Sequence, residues 1–424
     1  MESQSSRPSW SIACLLIFPV FIYFILIWIY AYNFPFLDDY TTVLVHALQP
    51  AAEQLKGWFV PHNEHIHLIL KATASFDLWI FGDVNLVRHQ WLGGFVFLLF
   101  YGVLLRTQAN ENIPWIWLAP LPFLLFQPSY WGTITWSTTS LHNFPGLLFS
   151  LATIRLWSST RENDKWLALL FTSLALLTNG FGMAVLGTLI LWELYKYWNL
   201  RKGSASYSKK ALISLISLTV VWIAFRFFLG RTHLQANMEG NTPIEYLHFF
   251  TNFIGSCFHF LGSPWLNLLA VLMVALLALL IKNGLLKKHP VLFFFVVYLL
   301  LSAVMTTVAR TDLGAKQGLA SRYRIYSTLL LCCVYLGYAK LYWKEWRIKS
   351  WILPLLFAGS ISFYSISLFV NLNNLNKIKQ RLIADKQRWH SGNPIQEYLN
   401  ARDAKLILNE ADQAGVFPKT TDKP

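Results

Sequence analysis

The sequence is poor in charge. Asp, Glu, Lys and Arg make up 13% of its 424 residues, about half of the roughly 25% found in soluble globular domains. That deficit excludes a water-soluble enzyme and a disordered chain. Cysteine is scarce as well. There are four, none in a CxxC or zinc-finger spacing, and Cys332 and Cys333 are neighbours inside an apolar run. Neither a disulfide framework nor a structural zinc site is expected. The alternating segments of about ten residues that mark a spanning β-barrel are missing. So are internal repeats, low-complexity stretches and a separate soluble catalytic domain. Acidic residues are outnumbered, 21 against 35 Lys and Arg, for a net charge of +14. In a soluble protein this excess would suggest nucleic acid. Here no soluble segment interleaves basic and aromatic residues, so no nucleic-acid partner is expected.

What is abundant is apolar. Hydrophobic residues make up 55% of the chain and aromatic residues 16%, with a mean hydropathy of +0.42. A membrane-crossing helix needs about 20 apolar residues. Runs approaching or reaching that length fall at 10–32, 90–105, 114–130, 142–157, 166–179, 181–195, 211–229, 264–281, 290–308, 325–340 and 351–370. The fold class expected is an all-α polytopic membrane protein with about 11 transmembrane helices. The short pair around Asn179–Gly180 reads either as two spans or as a re-entrant hairpin. The first run is too long for the core of a signal peptide and lacks a cleavage site after it, so it reads as an uncleaved first helix.

Charge placement gives an orientation. With the N-terminus in the cytoplasm, one set of short loops holds Arg106, Arg155, Arg161, Lys165, Lys196, Lys282, Lys287, Lys288, Lys340 and Lys344. This follows the positive-inside rule. The other face carries the long loops: 33–87, 230–263, 309–324 and the tail 371–424. Every histidine except His289 lies on or near that face. Residues 1–370 therefore read as the membrane domain and 371–424 as an extracytoplasmic tail, with amphipathic pieces near Ile378–Ile383 and Ile395–Leu408. Loops of such length tend to carry function, so the chemistry is expected outside the cytoplasm.

The first long loop opens with Phe36-Leu37-Asp38-Asp39-Tyr40. Two helical stretches with one apolar face follow, Tyr40–Leu55 and Asn63–Phe81, and are expected to lie along the interface. One aspartate suits an N-cap; a second carboxylate beside a bilayer needs a partner or a use. His62, Glu64 and His65 begin the second stretch. Their spacing is not that of a zincin. They remain candidates for ligand orientation, and a divalent metal ion is left open as a cofactor. A straight helix of about 17 residues would hold Asp39 and Glu64 about 25 Å apart, so they meet only if the first stretch bends. Arg310, Arg322 and Arg324 crowd the late loop, on the face where positive charge is normally scarce. Their plain role is to reach lipid headgroups; their functional role is a forked clamp on phosphate. Trp131 and Trp136 are either interfacial anchors or weak candidates for sugar stacking. His233 and Glu239 have no motif around them.

Three patches, Phe36–Tyr40, Asn63–His65 and Ser321–Tyr323, resemble those of bacterial membrane proteins of the GT-C glycosyltransferase superfamily. The architectural resemblance covers roughly residues 10–370. It implies a GT-C-like fold in the bacterial inner (cytoplasmic) membrane. It also implies transfer of a sugar from a polyprenyl-phosphate donor to a glycan, lipid or protein acceptor on the outer face. By position, Asp38 or Asp39 would be the general base. Arg310, Arg322 or Arg324 would stabilise the leaving phosphate, and His62, Glu64 or His65 would orient acceptor or phosphate. The short tail and the lack of a large outer domain depart from the pattern. Two other readings stand beside it: an O-antigen polymerase- or ligase-like enzyme using polyprenyl-diphosphate donors, and a lipid or glycan transporter. A transporter would carry charged or broken segments near the bilayer midplane. The glycosyltransferase reading requires the aspartates and arginines to share one lipid-accessible cavity.

Overall fold

The computed structural model describes residues 8–62, 65–109, 113–200, 210–228, 242–396 and 401–419. Glu64, His233 and Glu239 lie outside the described residues. Among the described residues the chain is helical, and the only β pairing is an isolated bridge between His62 and His65. The longer helices are α1 (Trp10–Tyr30), α2 (Leu68–Phe81), α3 (Leu86–Ala109), α4 (Ser137–Trp157), α5 (Glu162–Thr178), α6 (Gly182–Leu200) and α7 (Lys210–Phe228). They continue with α8 (Pro243–Gly255), α9 (Trp265–Lys282), α10 (Pro290–Arg310), α11 (Ser321–Ile348), α12 (Ile352–His390) and α13 (Ala401–Gln413).

Among the described residues six helices are long and apolar enough to cross a membrane: α1, α3, α9, α10, α11 and α12. Their burial sorts them into core and periphery. The most apolar window of α11 is 72% buried, whereas those of α1, α9 and α12 are 33%, 28% and 17% buried. Side chains such as Trp28, Val271 and Phe369 remain exposed on these outer helices. Apolar surface on this scale is stable only in lipid. The chain is an α-helical integral membrane protein.

The inner helix α4 is polar at its start and nearly all buried. It packs between α3 and α5, with Phe144 stacked on Phe97 at 4.4 Å between ring centroids. The α5–α6 pair packs along α4 from His142 to Trp157. At one end Trp157 donates to Glu193 (2.7 Å); at the other Asn179 donates to the carbonyl of His142 (3.1 Å).

Three sequence expectations are altered. The run 114–130 is not one helix. Pro120 and Pro128 open new segments, leaving Trp115–Leu118, Pro120–Leu125 and Pro128–Tyr130 as separate turns, because proline cannot supply the helical N–H. The pieces run antiparallel along α11: Tyr335 donates to Trp117 O (2.5 Å) and Arg324 to Ser129 O (2.9 Å). The first amphipathic stretch breaks at Pro50 into Tyr40–Ala47 and Ala51–Gly57, and its partner starts at Leu68. The boundary at 371 falls inside α12, a helix of 39 residues.

That long helix carries the tail back over the first loop. Phe34, Phe36, Val43 and Leu70 form a second apolar cluster with Leu382, Trp389, Leu408 and Phe417. Both amphipathic pieces expected in the tail contribute to it, through Ile378, Leu382, Ile395 and Leu408. The backbone N–H of Val84 donates to Val416 O (2.8 Å) and fastens the two segments. The bundle therefore has one end capped by the first loop and the tail.

Candidate functional site

A cavity of about 890 Å³ lies under this cap, where α4, α6 and α11 begin and α10 ends. Its lining includes the polar side chains of Asp38, His62, His65, His67, His142, Arg310 and Arg322. It also includes apolar residues, among them Leu176, Met183, Trp222, Ile223, Met305 and Ala309. The volume falls within the range of small-molecule sites.

The two aspartates separate. Asp39 is 1% exposed. Its carboxyl accepts from the N–H of Phe36 (3.2 Å) and from the N–H (2.9 Å) and hydroxyl (2.6 Å) of Thr138. Thr138 lies in the first turn of α4, so Asp39 satisfies an orphan amide of that helix. Burial pushes its pKa up to about 7 despite these hydrogen bonds. Asp38 lines the cavity, while Asp39 is not part of its wall. The divergence begins at Leu37, a non-glycine residue with φ of 46°. Leu37 also lines the cavity, and such strain concentrates at functional sites.

The histidines come from two elements. The break at Pro50 folds the loop back, so that His62 Nε2 lies 3.5 Å from the Thr41 hydroxyl. The first stretch is thus bent and not straight; whether Glu64 approaches Asp39 lies outside the described residues. His65 Nδ1 accepts from the N–H of Gly180 (3.0 Å) at the α5–α6 tip. A Cβ on Gly180 would sit 2.7 Å from His65 Cε1, so this approach requires glycine. His67 precedes α2 with φ of 60°, a second strained position facing the cavity. Its Nδ1 is 3.2 Å from that of His142 on α4. Burial lowers the pKa of His62 and drives that of His67 well below its usual value. Lys71, whose ammonium donates to Gly57 O and Val60 O, is lowered by burial to about 8.

The arginines also separate. Arg310 and Arg322 line the cavity. The Arg322 guanidinium sits 6.0 Å from the Trp136 ring and 5.0 Å from the Tyr323 ring. Arg324 points into the protein, donating to Leu319 O (3.0 Å) and Ser129 O (2.9 Å), and is absent from the cavity wall. Trp136 lines the cavity; Trp131 does not. Among the described residues no group of three His, Cys, Asp or Glu side chains is arranged to hold a metal ion, and His65 Nδ1 is already occupied by Gly180. No metal ligand is assigned here.

The structure thus brings together Asp38, His62, His65, Arg310, Arg322 and Trp136. It leaves Asp39, Arg324 and Trp131 in the surrounding framework. The sequence had not marked His67, nor His142, Asn143 and the Asn179–Gly180 tip, as parts of one site. The Asn179–Gly180 tip was visible as a local feature, but its convergence with the histidines was not. Comparison with protein-family models, with curated proteins and with solved structures finds no match.

Proposed function

We propose that the protein is a membrane glycosyltransferase that moves a sugar from a polyprenyl-phosphate carrier to an acceptor hydroxyl on the outer face of the membrane. One observation carries this reading: Asp38, Arg310 and Arg322, which follow one membrane helix and flank two others far along the chain, line the same cavity. Transfer needs a base for the acceptor proton and cations for the charge that grows on the departing phosphate. The acceptor oxygen would bond to the anomeric carbon as its proton passes to Asp38. The carbon–oxygen bond to phosphate would break, with the electron pair leaving on the lipid phosphate. The stereochemistry would invert. The apolar residues of the lining suit the first isoprene units of a carrier, and Trp136 offers an aromatic face beside Arg322.

The outer-face assignment and the bacterial inner membrane rest on loop charge and on the GT-C resemblance. Asp39 is a positioning residue in this account, through Thr138 and the start of α4. A second reading, a polymerase- or ligase-like transferase using polyprenyl-diphosphate donors, is favoured by one observation: among the described residues, imidazoles outnumber carboxylates on the cavity wall. Purified protein incubated with a panel of polyprenyl-monophosphate and -diphosphate sugars separates the two. The first reading expects transfer from monophosphate donors. Transfer from none of them would overturn it.

A further inference from the structure

The His67–His142 contact has a consequence for proton inventory. The two Nδ1 atoms are 3.2 Å apart. With both rings neutral, one Nδ1 must carry the hydrogen and the other must accept it. The donor ring then has a bare Nε2, and the acceptor ring has an Nε2–H. The Nε2 atoms of His67 and His142 make no hydrogen bond among the described residues. Unlike both ring nitrogens of His259, they are not sealed in the interior. Both residues line the cavity. His65 Nδ1 accepts from Gly180, which fixes its hydrogen on Nε2.

One added proton changes this set in a defined way. It converts the single bare Nε2 into a donor and leaves the Nδ1–H···Nδ1 bond intact. The pair would then offer two Nε2–H donors beside the Arg322 guanidinium. The groups facing the pair are His62 and His65 from the same loop, Lys71 from α2 and Arg322 from α11. Burial first, and then these neighbours, all cationic or able to become so, keep the pair neutral. Asp38 is the one carboxylate of the cavity wall among the described residues.

We propose that His67 and His142, with Arg322, form an oxyanion-binding subsite that takes up a proton when the anion binds. The anion class is a tetrahedral phosphate or its ester. That it is lipid-borne rests on the glycosyltransferase reading; the subsite itself does not.

Isothermal titration of the full-length protein in detergent, in two buffers of different ionisation enthalpy, reads the protons exchanged. Farnesyl phosphate is the lipid-borne probe, and sulfate the free anion that does not titrate near neutrality. The wild type should take up a larger fraction of a proton per farnesyl phosphate than His67→Gln or His142→Gln, in which the probe's own ionisation is unchanged. Its affinity should fall by up to about tenfold per unit rise in pH relative to the variants. The variants should bind about tenfold more weakly near neutrality while keeping their elution profile and melting temperature. The same excess uptake with sulfate would support the subsite and identify a free anion as sufficient. Equal proton exchange in wild type and both variants, or binding of neither probe, would overturn it. Excess uptake without sugar transfer from any donor would leave the subsite standing and remove only the transferase reading.

Discussion

Asp39 and Thr138 are joined side chain to main chain across 99 positions: one carboxyl oxygen receives both the amide and the hydroxyl of the threonine, at 2.9 and 2.6 Å. This bond ties the exit of α1 to the start of α4, and the cavity forms between them. Replacing Asp39 by Ala leaves the buried amides of Phe36 and Thr138 without their acceptor, while the Thr138 hydroxyl keeps the Thr42 hydroxyl at 3.1 Å. It should destabilise the protein by about 2–4 kcal/mol, measured by thermal or denaturant unfolding in detergent.

The same residue gives stability a pH dependence. Burial raises its pKa to about 7 from a usual value near 4. Between these values the folded state holds a proton that the unfolded state has lost, so stability falls as pH rises from about 4 to about 7 and then levels off. The span is on the order of 2–4 kcal/mol. In Asp39→Asn this component should vanish, which unfolding curves over that pH range will show.

Arg322 and Arg324 should behave differently although they are two residues apart. Arg324→Ala removes a buried donor from two carbonyls, Leu319 O and Ser129 O, and should cost about 2–4 kcal/mol of stability. Arg322→Ala should fold like the wild type and lose anion affinity. Melting temperature and farnesyl phosphate binding, measured on both variants, check the contrast.

Gly180→Ala places a Cβ 2.7 Å from His65 Cε1 and 2.9 Å from Nδ1. His65 must move, at a cost of about 1–3 kcal/mol. Ligand binding should weaken more than stability, read from the same two measurements.

How far the sequence reveals this molecule differs from element to element. The outer helices follow from hydropathy because lipid and protein both reward apolar side chains there. The break in 114–130 was written in Pro120 and Pro128, which hydropathy averages over. The aspartate pair was legible as a pair, but not the split between its members, which turns on a left-handed Leu37 and on Thr138 nearly a hundred residues away. The arginine split was legible in principle: residues two apart on a helix point about 200° apart, so Arg322 and Arg324 cannot both face one cavity. The meeting of His67 with His142 depends on the fold-back at Pro50 and on the tail that clamps the loop. No local pattern encodes that.

The account's central claim is that Asp38 acts on a ligand held by Arg310 and Arg322. Its most direct test is the rate of sugar transfer by Asp38→Asn, measured with the lipid-linked donor that the wild type uses. The account predicts a loss of about 10²–10⁴-fold with donor affinity and melting temperature unchanged. Transfer at the wild-type rate by a folded Asp38→Asn protein would contradict it.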